Sequence, residues 1–321
     1  MSTAASRSVT LSNSHDQGTV NLRAHRRATG GKVDGRRWRG SIALIAIATC
    51  AVALRGLDVR PAGSAAGTSL DSRRAPRAST IDTIRVATFN IRGGKGRDNR
   101  RDLDRIAACL PCMHLVGLNE VHGSRLWSPD DQAKRLGERT NCSWLFAPSE
   151  QRWWRSYFGN GVLSELPVHE WRRVQLESTR GRGFRNYLLL HASCGGRTVR
   201  IAITHIDRVA DRRAQLKSVI AMYLALPEPA ILMGDLNTSS NDTVLAGLLA
   251  APGVVDVLAH LPAAYQPGRR IDWILARGFR TLAAGVHDSA ASDHPMFWAE
   301  LQLATPTAEE PPMSHASMGK P

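Results

Sequence analysis

The sequence of 321 residues lacks the signatures of several large protein classes. It contains no P-loop, no glycine fingerprint for dinucleotides and no internal repeat, which argues against nucleotide-cofactor folds and repeat proteins. Its longest run without a charged residue, residues 40–54, has fifteen residues, which is short for a membrane-spanning helix. The chain is long enough for one large domain or two small ones.

Cysteine is also scarce, with five residues in the whole chain. Only one Cys-x-x-Cys pair occurs, Cys109 to Cys112, and no histidine stands at zinc-finger spacing, so we expect no zinc site. Four cysteines follow the apolar run that contains Cys50, and they would permit two disulfides in an exported domain, Cys109–Cys112 and Cys142–Cys194. The alternative is four unlinked thiols.

The apolar run, Ser41–Leu54, follows Arg36, Arg37 and Arg39. Its length is typical of a signal-peptide core, and the arginines would remain in the cytoplasm. We therefore expect residues 41–55 to be a signal peptide or signal anchor, which makes the protein secreted, periplasmic or anchored to the cell membrane. The alternative is a buried helix of the folded body. Composition predicts a disordered basic leader at 1–40, a linker at 56–81 and a disordered tail at 304–321.

The net charge of +14 is unevenly distributed. Residues 1–81 carry 13 Lys and Arg against 4 Asp and Glu, so more than half of the positive excess lies outside the predicted folded domain, residues 82–303. The basic balance is consequently weak support for nucleic-acid binding.

Apolar periodicity within residues 82–303 predicts alternating strands and helices. The expected strands are Ile84–Phe89, Leu115–Leu118, the hairpin Phe184–His191 and Thr198–Ile203, Ala230–Met233 and Met296–Leu303, and the expected helices cover 102–110, 132–140 and 215–224. Six of the strand ends or turns carry polar residues that suit phosphate chemistry: Asn90, Glu120, His205, Asp235 with Asn237, Asp272, and Asp293 with His294.

The central example is Met233-Gly234-Asp235-Leu236-Asn237. Gly234 permits a tight turn after the apolar strand, and Asp235 and Asn237, two residues apart, project to the same side of an extended chain. A carboxylate that activates water beside an amide that holds a charged oxygen suits attack on a phosphate ester.

In content, order and spacing these segments resemble the endonuclease/exonuclease/phosphatase superfamily. The segments are Thr88-Phe89-Asn90, Leu118-Asn119-Glu120-Val121, Gly159-Asn160-Gly161, Thr204-His205, Gly234-Asp235-Leu236-Asn237, Arg270-Ile271-Asp272-Trp273-Ile274 and Ser292-Asp293-His294. The resemblance implies an α/β fold, a four-layered α/β sandwich in which two mixed β-sheets pack face to face with helices outside. The sequence departs from the family where Asn119 replaces the more common Gln, and where no acidic residue that would orient His205 is identifiable.

The resemblance also implies roles for the polar residues. Glu120 with Asn90 would hold Mg²⁺, with Mn²⁺ as the alternative, and Asp293 would lie near the metal or its waters. His205 and Asn237 would contact the scissile phosphate, and Asp272 would orient His294. Either His294 or Asp235 would activate the attacking water.

We therefore expect a monomeric, metal-dependent phosphodiesterase of nuclease type. Residues 151–158 interleave four aromatic side chains with two arginines, which suits stacking on nucleic-acid bases or a membrane interface, and the alternative is a partly packed surface loop. The alternatives are a phospholipase C-like, sphingomyelinase-like or phosphatase activity on a phospholipid or inositol phosphate headgroup, and an inactive binding protein on the same fold.

Overall fold

The computed structural model describes residues 42–51, 59–72, 82–110, 113–124, 128–152, 155–179 and 183–305. The chain divides into two compact units, residues 1–50 and 51–321. Residues 42–51, within the predicted signal segment, form helix α1. Among the described residues, no helix has the length and apolar character needed to cross a membrane. The predicted leader at 1–40, and the tail from residue 306 onward, lie outside the described residues.

Among the described residues of the larger unit, fourteen strands form two seven-stranded sheets. In chain order they are β1 (Arg60–Pro61), β2 (Ala65–Gly67), β3 (Thr83–Asn90), β4 (Leu115–His122), β5 (Ser143–Arg152), β6 (Arg155–Ser164), β7 (Val168–Gln175), β8 (Asn186–Cys194), β9 (Arg197–His205), β10 (Ala230–Asp235), β11 (Val255–Asp256), β12 (Asp272–Arg277), β13 (Phe279–His287) and β14 (Met296–Leu303). The first sheet has the order β1-β5-β6-β4-β3-β14-β13, and the second has the order β11-β12-β10-β9-β8-β7-β2.

Each sheet contains one parallel pair near its centre. These pairs are β3 with β4, and β9 with β10, whereas their other neighbours are antiparallel. The carboxyl ends of parallel strands meet at one edge of a sheet, which is where the predicted polar residues stand. Strand β10 is buried along its whole length, as its unbroken apolar run requires.

In the part of the chain that the structure describes, four helices cover the outer faces of the sheets. They are α2 (Leu103–Ala108), α3 (Gln132–Thr140), α4 (Arg212–Ala225) and α5 (Thr243–Leu249). Apolar side chains of α2 and α3 pack with the first sheet, and those of α4 and α5 pack with the second. A third cluster joins the inner faces of the two sheets. This is the predicted four-layered α/β sandwich, so the predicted fold class is confirmed.

The segment before residue 82 contributes to the fold, contrary to part of the prediction. Strand β1 pairs with β5 at the edge of the first sheet, and β2 pairs with β7 at the edge of the second. Arg173 donates hydrogen bonds to the carbonyl oxygens of Ala62 and Gly63, at 3.2 and 3.0 Å. Residues 59–72 are therefore a strap along both sheets, and the predicted linker at 56–81 is wrong for this stretch because its backbone groups pair with sheet edges.

The cysteines form no disulfide in the described part of the chain. Cys194 is packed between the sheets, whereas Cys142 packs in the cluster under α2 and α3. The predicted disulfide between Cys142 and Cys194 is therefore wrong, because the first β-sheet lies between the cluster that contains Cys194 and the cluster that Cys142 packs against. The predicted partner of Cys109, Cys112, lies outside the described residues.

Candidate active site

The predicted site residues meet at the edge where the two parallel strand pairs end. Asp235 is the register partner of His205 on one side and of Asp272 on the other. Asn90, the last residue of β3, bridges toward this group from the first sheet. Both sheets therefore contribute side chains to a single cleft.

Asp235 lies at the centre of the cleft and is 2% exposed. Its Oδ2 accepts from Asn90 Nδ2 at 3.1 Å, and its Oδ1 accepts from the Asn237 backbone N–H at 2.8 Å. Gly234 precedes it at φ 139°, where a Cβ would lie 1.8 Å from the Thr204 carbonyl oxygen, so only glycine fits. Burial, and then the charge of Asp272, raise the pKa of Asp235 to about 7.

His294 and Asp272 form a hydrogen-bonded pair beside Asp235. His294 Nδ1 lies 2.8 Å from Asp272 Oδ2, and its Nε2 lies 4.0 Å from Asp235 Oδ2. Burial lowers the pKa of His294, but the hydrogen bond and charge of Asp272, together with Asp235 and Asp293, outweigh it and raise the value to about 9. The carboxylate fixes Nδ1 as the donor and aims Nε2 into the cleft.

His205 and Asn237 line the opposite wall. Asn237 Nδ2 lies 3.1 Å from His205 Nε2 and donates to the Ile206 carbonyl oxygen at 3.0 Å. Burial, followed by the charges of Arg185 and His294, holds the pKa of His205 well below its usual range, so the ring is neutral. Its buried Nδ1 has no hydrogen-bond partner among the described residues, in agreement with the missing acidic residue in the sequence.

The three predicted metal ligands occupy different places. Glu120 has φ 56° at a bulge of β4, and its Oε1 accepts from Asn90 Nδ2 at 3.2 Å. A bulge re-aims the side chain it carries. Asp293 pairs with Arg92 at 3.2 Å and is about half exposed, so it lies at the rim, and the Ser292 hydroxyl hydrogen-bonds both its Oδ1 and the Asn90 carbonyl oxygen.

The donors in the cleft suit a divalent cation. Ligand atoms of Asp235, Asp272 and His294 all lie within 4.8 Å of one another, and Asp272 Oδ1 is buried without a hydrogen-bond partner among the described residues. Glu120 adds a third carboxylate through Asn90. Oxygen donors are the ligands that Mg²⁺ and Mn²⁺ prefer.

A buried asparagine network beneath Asp235 was not identified from the sequence. Asn119 accepts from the Asp235 backbone N–H at 2.9 Å and donates to Asn160 at 2.8 Å. Asn160 donates to Asn186 at 2.8 Å, which links β6 of the first sheet to β8 of the second. Asn119 and Asn160 stand within the family-like motifs, but no local pattern marks Asn186.

Two further residues beside the cleft come from outside the motifs. Arg185 is largely buried, its guanidinium lies 5.3 Å from the Phe158 ring centroid, and it makes no side-chain hydrogen bond to any described residue. Burial lowers the pKa of Arg185, opposed by the charges of Asp207, Glu150, Glu120 and Asp235. Phe158 in turn lies 6.2 Å from the His205 ring. In the sequence, the only indication of a functional role for Phe158 was its place in the aromatic segment 151–158.

Comparison with known proteins agrees with this geometry. The model of the Endonuclease/Exonuclease/phosphatase family matches residues 87–294, a range that contains every predicted site residue. An endonuclease/exonuclease/phosphatase from Beutenbergia cavernae DSM 12333 is 24% identical, with a TM-score of 0.58, covering 71% of this chain and 72% of that one. Humanized D. rerio TDP2 is 18% identical, with a TM-score of 0.54, covering 69% of this chain and 99% of that one.

D. rerio TDP2 complexed with a single strand DNA product is 17% identical, with a TM-score of 0.51, covering 68% of this chain and 99% of that one. At these identities the structural likenesses bear on the fold alone. A search of curated protein sequences gave no significant match. Because the family model spans well over half of the chain, the chain belongs to the endonuclease/exonuclease/phosphatase family.

Proposed function

We propose that this protein is a divalent-metal-dependent phosphodiesterase that hydrolyses nucleic acid. The observation that carries the proposal is the meeting of Asp235, the Asp272–His294 pair, and the Asn90–Glu120 pair in one cleft. Acid, base and cation-binding groups within one cleft are the components that phosphoester hydrolysis requires.

The cation would be held by Glu120, with the carboxylates of Asp235 and Asp272 nearby. Asn90, predicted as a ligand, instead donates through its Nδ2 to Glu120 and Asp235 and accepts from the Arg92 backbone N–H through its Oδ1. When bound, the cation would neutralise charge on the phosphate oxygens. Mg²⁺ is held by few protein ligands and keeps several waters, so one or two carboxylates are sufficient.

We assign the activation of water to Asp235, with His294 as its partner. A water between Asp235 Oδ2 and His294 Nε2, which lie 4.0 Å apart, would be within hydrogen-bond distance of both. His294 is bonded to the buried Asp272 carboxylate, which stabilises the imidazolium, so His294 donates a proton while Asp235 accepts one. His205, Asn237 and Arg185 would hold the phosphate on the other wall.

The preference for nucleic acid comes from the rings beside the cleft. Arg152 lies 4.2 Å from the Tyr157 ring centroid, and the His122 ring is 5.7 Å from Tyr157 and 6.1 Å from Phe158. Aromatic faces interleaved with guanidinium groups bind stacked bases and the phosphates between them. The crystal structure of D. rerio TDP2 with single strand DNA product supports this choice at the level of fold analogy.

A substrate panel tests the proposal. The purified protein with Mg²⁺ or Mn²⁺ is incubated with plasmid DNA, RNA, sphingomyelin, phosphatidylinositol phosphates and bis-p-nitrophenyl phosphate. We expect cleavage of nucleic acid and of bis-p-nitrophenyl phosphate. Cleavage of lipid alone would contradict the choice of substrate, and metal binding without turnover of any substrate would favour an inactive binding protein.

We also propose that the folded body is exported or tethered to the membrane through residues 41–55. The support is the fourteen-residue apolar run, Ser41–Leu54, that follows Arg36, Arg37 and Arg39. Fractionation of the host cells tests this: we expect the protein in the periplasm, medium or membrane. Recovery only from the soluble cytoplasm would rule export out.

A further inference from the structure

A cavity of about 240 Å³ lies next to the catalytic cleft, at the ends of β4, α2 and α3. Its lining includes five side chains that carry hydrogen-bond donors: Arg101, His122, Ser128, Gln132 and Arg135. None of these residues belongs to the catalytic set.

His122 connects the cavity lining to the residues of the catalytic cleft. His122 follows Glu120 by two residues on β4, which places it about 7 Å further along the strand. Its ring contacts Phe158, which contacts the ring of His205. A ligand that extends from the catalytic centre past Phe158 therefore reaches the cavity.

One side of the cavity is held in place by hydrogen bonds. The Gly93 carbonyl oxygen accepts from Gln132 at 2.8 Å and from Arg101 at 2.6 Å, and Gln132 Oε1 accepts from the His122 backbone N–H at 2.9 Å. Gly93 has φ 59°, and a Cβ there would lie 2.5 Å from His122 Nε2. The turn is therefore packed tightly beneath the His122 ring.

Two of the cavity's lining side chains, Arg101 and Arg135, are cationic, and each of its two acidic residues lies beside a cation. Asp130 forms an ion pair with Lys134 at 2.7 Å, and Asp102 caps α2 and lies 3.4 Å from Arg105. By contrast, the Arg135 guanidinium makes no hydrogen bond or ion pair with any residue that the structure describes.

We propose that this cavity is a second phosphate-binding subsite, with Arg135 as its principal cation. The inference rests on the proposed phosphodiesterase function. It adds that the substrate carries a second phosphate besides the scissile one. Guanidinium groups bind phosphate through paired, charge-assisted hydrogen bonds. The subsite takes the phosphate that neighbours the scissile one along a nucleic-acid strand, so it favours an oligonucleotide over an isolated diester.

Two charge-matched variants of the full chain test the subsite, Arg135→Gln and Arg139→Gln. Both residues are on α3, but Arg139 pairs with Asp104 and does not line the cavity. The first measurement is the affinity for inorganic phosphate in EDTA, where the acidic catalytic cleft repels the anion. Arg135→Gln should weaken binding by about tenfold or more, as expected for a lost charge-assisted hydrogen bond, and Arg139→Gln should leave it unchanged.

The second measurement is kcat/KM with Mg²⁺ for thymidine dinucleotides with and without a terminal phosphate at the 5′ or 3′ end. The wild type should prefer one phosphorylated form, and Arg135→Gln should remove that preference while bis-p-nitrophenyl phosphate is hydrolysed at the wild-type rate. Equal phosphate affinity in Arg135→Gln and the wild type, or equal losses in both variants, would overturn the subsite. If the wild type binds phosphate through Arg135 but cleaves no diester, the phosphodiesterase proposal fails and the phosphate site stands.

Discussion

Asp235 is the residue on which the chemistry of the cleft converges. It accepts hydrogen bonds from Asn90 and from the Asn237 backbone, and its Oδ2 lies 3.5 Å from His205 Nε2 and 4.0 Å from His294 Nε2. Any change in its charge therefore alters the environment of every other group in the cleft. The carboxylate and the histidine act on one water in our account, so their effects should not be independent.

We predict that Asp235→Asn and His294→Gln each lower kcat on bis-p-nitrophenyl phosphate by about 100-fold or more, from the loss of general acid–base catalysis. The double variant should be about as slow as either single variant, because residues that act as a unit are not additive. Steady-state kinetics of the three variants measures this. Multiplicative losses in the double variant would show that the two side chains act separately.

His114, on the far end of the strands, provides a pH-dependent test of stability. The Arg85 backbone N–H donates to its Nδ1 at 3.1 Å, so the folded state requires the neutral ring. Burial lowers the pKa of His114, and Arg85 lowers it further, opposed by Glu165 and Glu300. As pH falls below about 6.5, the unfolded chain binds the proton first, and the stability present above that pH is lost.

We therefore predict that the Tm difference between the wild type and His114→Asn shrinks as the pH falls from 7.5 to 5. Asparagine retains an acceptor but does not titrate, which makes it the matched control. The expected change is about 2–4 °C, the equivalent of one hydrogen bond in a domain of this size. A Tm difference that stays constant across this range would show that His114 does not titrate in the way described.

At the scale of elements, the asparagine network joins the two sheets directly beneath the site. Asn119, Asn160 and Asn186 are at most 1% exposed, and their side chains satisfy one another and nearby carbonyl groups. Buried polar groups are costly when a partner is removed. The network therefore fixes the spacing of β4, β6 and β8, and with it the position of the Asp235 backbone.

We predict that Asn160→Ala and Asn186→Ala each lower the free energy of unfolding by about 2–3 kcal/mol. Their combined cost should be smaller than the sum, since the two side chains share a hydrogen bond. Urea denaturation of the two single variants and the double variant checks this. Additive costs would mean that the two residues contribute independently to the sheets.

The strap at residues 59–72 offers a second test at this scale. Beyond its two short strands, the Trp171 indole N–H donates to the Ser69 carbonyl oxygen at 2.9 Å, and Leu70 packs against the central cluster. We predict that a chain starting at residue 73 melts about 5 °C or more below one starting at residue 59, because these contacts are lost. Equal Tm values would mean that the strap adds no stability.

The elements that the sequence predicted correctly are those with a strong apolar period. Strand β14 and helix α3 have the predicted bounds, and β3, β4, β9 and β10 extend the predicted cores by a few residues. Strands β7 and β13 were not predicted, since both are near sheet edges and have mixed burial, which weakens the alternation. Strand β5 was missed because Pro148 and a polar second half interrupt its pattern.

At the scale of the whole molecule, the site could be predicted from the sequence because functional residues of layered α/β folds gather where parallel strands end. The polar residues that follow apolar strands come together because the parallel pairs of both sheets end at one place. Contacts between elements that are far apart in the sequence leave no pattern in the local sequence, so they could not be predicted. The Arg92–Asp293 ion pair and the Arg185–Phe158 stacking contact belong to this class, because each joins segments that only the completed fold brings together.

Single-turnover cleavage of an end-labelled single-stranded DNA is the most direct test of the central claim. We predict that the wild type cuts the strand with Mg²⁺ or Mn²⁺ and that EDTA abolishes cleavage. Asp235→Asn should be slower by about 100-fold or more, while Arg139→Gln cuts at the wild-type rate. Cleavage that persists in EDTA, or an Asp235→Asn variant as fast as the wild type, would contradict the account.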